Sequence, residues 1–72
     1  MIEAKTDQTL KVTVESKAAM QKQLTIAERI LRARAASVRT QGIMITRRSP
    51  TLFTVALSED VPYGLTWEFR AY

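Results

Sequence analysis

Four short stretches of this chain alternate apolar with polar residues, and one stretch repeats apolar residues every three to four positions. Alternation with period two marks a strand with one buried face; period 3.6 marks a helix with one apolar stripe. Together the two periods point to a helix packed on a sheet, an α+β two-layer domain.

The first alternating stretch is Gln8–Glu15, with Leu10, Val12 and Val14 on one side. The helical stretch follows. Ser16–Gln23 is rich in helix formers and supplies a short helix or the first turns of a longer one. Thr25-Ile26-Ala27-Glu28 has the form of a capping box, with Leu24 at the staple position, and predicts a main helix over 26–40. Gly42 suits a left-handed cap at its end. At 100° per residue Ile26, Ala27, Ile30, Leu31 and Val38 share the apolar face, and Arg34 falls within it. A side chain of that kind snorkels or pairs with a carboxylate such as Glu15, Glu59 or Glu68, a structural role.

The runs 42–48 and 51–58 flank Ser49-Pro50 and read as a hairpin, with Ile43, Ile45, Phe53, Val55 and Leu57 facing the core. Met44, Thr46, Thr54 and Ala56 take the other side. Residues 59–64 form a turn in which Pro62 fixes a dihedral and Gly64 takes positive φ. Leu65, Trp67 and Phe69 alternate in a third, hairpin-connected strand. Residues 1–8 are polar and read as a flexible lead-in. The expected order is β-α-β-β-β, one helix on a small, mostly antiparallel sheet. The alternative is a winged-helix-like arrangement of helices and a hairpin.

With 72 residues the chain supports one domain. A domain of this size buries only about 60% of its extended surface. It has neither cysteine nor histidine, so disulfides, thiolate metal sites, and the commonest zinc ligand and general base are all excluded. Stability must come from a hydrophobic core or from self-association. No apolar run approaches the roughly 20 residues of a membrane span. Met1-Ile2-Glu3-Ala4-Lys5 lacks the basic-then-apolar pattern of a signal peptide, so the expected setting is cytoplasmic.

Net charge is +4, unevenly distributed. Residues 29–58 carry six arginines and no acid; the rest carries five cations against seven acids. Arginine suits bidentate contacts with phosphate or carboxylate. Arg29, Arg32 and Arg39 form an outward helix stripe, and Arg47 and Arg48 a hairpin tip. The bland reading is a solvated face that keeps the protein soluble.

The segment TRRSPTLFTVALSEDVPYGLT over residues 46–66 resembles a recurring segment in small uncharacterised proteins of actinobacteria and their phages. The resemblance implies an intracellular, phage-related setting. It carries no activity and assigns no site residue.

Two functions fit these residues. The first is nucleic-acid binding, most directly to DNA, with Arg29, Arg32, Arg39, Arg47 and Arg48 on phosphates. No aromatics interleave with these arginines, which speaks against a stacking surface for single strands. The second is a protein-interaction module that docks on an acidic host protein or forms a homodimer, with Tyr63, Trp67 and Tyr72 as anchors. Core membership is the plainer reading of Trp67. An enzyme is not expected: Ser16, Ser37, Ser49 and Ser58 have no histidine to activate them, and the carboxylates do not cluster. No cofactor, metal or membrane partner is implied.

Overall fold

The computed structural model describes residues 1–71. One helix packs on a five-stranded mixed sheet, an α+β fold. The strands are β1 (Ile2–Thr6), β2 (Thr9–Thr13), β3 (Gly42–Ser49), β4 (Leu52–Ser58) and β5 (Thr66–Arg70). The helix α1 (Lys17–Ala35) lies between β2 and β3 in the chain. The spatial order is β1-β2-β4-β3-β5. The winged-helix alternative fails, because a single helix precedes the β3–β4 hairpin and that hairpin lies inside a larger sheet.

The helix is longer at its start and shorter at its end than the capping box suggests. Ser16 is the N-cap, and its hydroxyl accepts the Ala19 amide at 3.1 Å. Thr25 sits inside the helix and donates its hydroxyl to the Gln21 carbonyl at 2.8 Å. The good helix formers of 17–24 propagate straight through the Thr25 box, since adding a residue to an existing helix needs no new nucleation. At the other end the helix stops at Ala35, and Arg39 takes the left-handed φ of 60° expected of a glycine.

Residues 2–6 are not a loose lead-in: they pair with β2 in an antiparallel hairpin turned by Asp7 and Gln8. The β2–α1–β3 crossover inserts β4 between two parallel strands, so β4 pairs antiparallel with both neighbours. The core lies between the helix and these three central strands. Leu31 and Ala27 meet Leu10, Val12, Val14, Ile43, Ile45, Phe53 and Val55. Burying a leucine such as Leu31 contributes about 1.5–3 kcal/mol.

The last strand is not hairpin-connected. β5 passes the start of β3 and pairs with it in parallel at the sheet's edge. The connection, residues 59–65, is pinned by Val61, which is fully buried, and by the Gly42 amide donating to the Val61 carbonyl at 2.7 Å. Gly42 is therefore not a helix cap. A Cβ there would meet the Pro62 carbonyl oxygen and lie 2.5 Å from Val61 Cγ1, so only glycine lets the loop cross. Gly64 has the positive φ expected of it, 91°.

Candidate functional site

A single helix covers one side of the sheet, over β2, β3 and β4. Strand alternation decides which side chains stand on the other side. In β3, Ile43 and Ile45 are buried toward the helix, so Met44 and Thr46 stand on the open face. Trp67 pairs with Met44 and Phe69 with Thr46, which puts both rings on that face. They are 42% and 46% exposed. Across the central strands the face continues through Thr54 and Ala56 to Thr9 and Lys11.

Two bulges add charge to it. The ladder shifts register between Arg47 and Ser49, leaving Arg48 as the extra residue, and again between Ala4 and Thr6, leaving Lys5. A bulge re-aims the side chain it frees. Arg48 Nε donates to Thr54 Oγ1 at 2.8 Å, which leaves the two terminal nitrogens of its guanidinium for another acceptor. Lys5, Lys11 and Arg48 line one surface depression with Thr9, Leu52 and Thr54. Glu3, opposite Lys11, is the acid of this face. The result is an aromatic edge on β5, a floor of threonine and alanine with Met44 beside Trp67, and a cationic side toward β1.

The five arginines do not form one surface. Arg47 and Arg48 leave the hairpin on opposite faces. Arg47 is half-buried on the helix side, its guanidinium 5.3 Å from the Phe53 ring centroid. That is cation–π geometry, a contact worth about 0.5–1 kcal/mol at exposed sites. Arg29 lies on the outward side of the helix beside Lys22 and Ile26. Arg32 sits 3.8 Å from Glu28 and donates to Thr66 Oγ1 at 3.4 Å. Arg39 is exposed in the turn after the helix. Arg34 is exposed and donates to the Asp7 carbonyl oxygen at 2.5 Å. Its partner is thus a backbone group in the β1–β2 turn and none of Glu15, Glu59 or Glu68. Arg32 and Arg34 reach opposite edges of the sheet, one to β5 and one to the β1–β2 turn.

Among the aromatic candidates, Tyr63 is exposed in the 59–65 loop and Trp67 on the open face, and Tyr72 lies outside the described residues. Leu65, Trp67 and Phe69 are not core residues. The helix covers only the central strands, so at the β5 edge the apolar alternation points to solvent. The residues with polar or charged side chains, Thr66, Glu68 and Arg70, share the helix side of that edge. Sequence reasoning missed Phe69, Lys5 and Lys11 as site residues. Lys11 was legible as the outward neighbour of Val12, while Phe69 and Lys5 needed the β5 register and a bulge.

Among the described residues no three of His, Cys, Asp and Glu come together as a metal site. Among the described residues no helix is long and apolar enough to cross a membrane. No family model matches this sequence, and no curated protein or solved structure matches it either.

Proposed function

We propose that this chain is a small, non-enzymatic nucleic-acid-binding protein that uses the open face of its sheet. The observation that carries the reading is the placement of Trp67 and Phe69 on the same uncovered face as Lys5, Lys11 and Arg48. Rings offer π-faces to bases, and the cations neutralise phosphates. The face carries three cations against one acid, Glu3. That imbalance, on a chain of net charge +4, favours a polyanion over a neutral protein surface.

This reading moves the contact away from the helix stripe. Arg29, Arg32 and Arg39 are on or beyond the helix, and Arg47 is engaged with Phe53, so of the five arginines only Arg48 belongs to it. A phage-related, intracellular setting, the implication of the resemblance over residues 46–66, is compatible with such a protein.

Binding of labelled oligonucleotides as salt is raised tests the proposal. Binding at phosphates releases condensed counterions, which raised salt makes less favourable, so affinity must fall with a constant log–log slope. Absence of binding even at low salt overturns it. Salt-sensitive binding to an acidic protein, with none to nucleic acid, transfers the same surface to the protein-interaction reading.

A further inference from the structure

Trp67 and Phe69 occupy alternate positions of one strand, so their side chains stand about 6.6 Å apart along it. The base step in a stacked duplex is about 3.4 Å. Neighbouring bases can lie on both rings only if they have come apart by about twice that step. A duplex keeps its base faces covered by the adjacent pairs and cannot do this without melting. A single strand can, because its bases are free to splay and stack on aromatic side chains.

We propose, resting on the nucleic-acid reading above, that the ligand of the open face is specifically a single strand, with two successive bases seated on Trp67 and Phe69. From Phe69 the face runs through Thr46 and Thr54 to Lys11. Those are three strand spacings, about 14 Å. That span takes about four nucleotides at the stacked step, and fewer when the chain is drawn out. The floor along this path is Thr46 and Thr54, low enough for the backbone to cross, and Arg48 stands beside it on Thr54. The phosphates beyond the two stacked bases therefore run toward Arg48, Lys11 and Lys5. Recognition is by stacking and charge, which every base and either sugar satisfies.

Trp67 is the sole tryptophan of the chain, so it reports its own contact. The full chain is titrated with a short oligothymidylate, an oligouridylate of the same length, and a mixed-sequence duplex, reading tryptophan fluorescence and anisotropy. Single strands quench Trp67 and bind more tightly than the duplex; the two homopolymers distinguish DNA from RNA as the source of the strand. With three cations engaged, the log–log salt slope for a single strand is about −2. Phe69→Ala weakens single-strand binding about five- to a hundredfold, whereas Phe69→Tyr, which keeps a π-face, binds like the parent. Circular dichroism verifies that both variants fold. Duplex binding as tight as single-strand binding, without quenching, overturns this inference and leaves the nucleic-acid reading standing. No binding to any of the three overturns both. A Trp67 already shielded in a dimer that nucleic acid does not dissociate assigns the face to a second copy and also overturns both.

Discussion

The Cβ position of Gly42 lies 2.5 Å from Val61 Cγ1 and closer still to the Pro62 carbonyl oxygen. This contact marks where residues 59–65 cross the end of β3, and the crossing carries β5 to the far side of that strand. There β5 pairs with β3, which puts Trp67 and Phe69 on the same face as Arg48.

Gly42→Ala is therefore expected to destabilise the fold by about 1–3 kcal/mol, the usual range for overpacking. Arg39→Gly should act in the opposite sense, raising stability by about 1 kcal/mol, because the φ of 60° at Arg39 costs a residue with a Cβ about that much. Urea denaturation of both variants checks the pair. Equal stabilities would mean that the loop does not cross at Gly42.

The N-terminal end of the helix gives a second contrast. Ser16→Ala removes the cap on the Ala19 amide and should cost about 1 kcal/mol. Thr25→Ala should be neutral or slightly stabilising, since Thr25 is an interior position where alanine is the better helix former. Were a helix to start at Thr25 instead, the order of the two effects would reverse in thermal unfolding.

Arg34 ties the helix to the β1–β2 turn through the Asp7 carbonyl. Arg34→Met keeps the stem and deletes that bond. A loss of about 0.5–1.5 kcal/mol is expected, the net worth of an ordinary hydrogen bond. Amide exchange should show the loss concentrated in the β1–β2 hairpin, with oligonucleotide affinity unchanged. Weaker nucleic-acid binding at unchanged stability would contradict the structural role given to this residue.

Charge placement separates the two faces. Lys11→Ala with Arg48→Ala should make the salt slope for single strands shallower by about 1.4, two phosphate contacts' worth. Arg29→Ala with Arg32→Ala, on the helix, should leave the slope unchanged. The reverse pattern would return the contact to the helix stripe.

The alternation of Leu10, Val12 and Val14, of Ile43 and Ile45, and of Phe53, Val55 and Leu57 was enough to give the core strands and their buried sides. The 3.6-residue repeat was enough to give a helix on top of them, and Ser49-Pro50 marked the hairpin, whose turn residues are Pro50 and Thr51. These features are legible because a residue's side of a strand or helix depends only on its position within that element. The helix start was harder. Ser16 and Thr25 both carry a capping signal, and only the docked helix shows which one is used.

What lay outside the sequence was every relation between elements distant along the chain. Alternation put Leu65, Trp67 and Phe69 on one face, and core membership was the plainer reading of Trp67 because a strand's apolar phase normally faces inward. At an edge strand beyond the helix's reach, inward and outward are both solvent, and the register with β3 chose the open face. The arginine cluster was likewise a property of chain order. Bulges and strand alternation sent Arg47 to Phe53 and Arg48 to Thr54, and they brought Lys5 and Lys11 from the start of the chain to join Arg48. The sequence by itself determined that one helix would pack on a sheet and that the chain would be basic. Strand order and register, set by tertiary packing, decided which charges and rings share a surface.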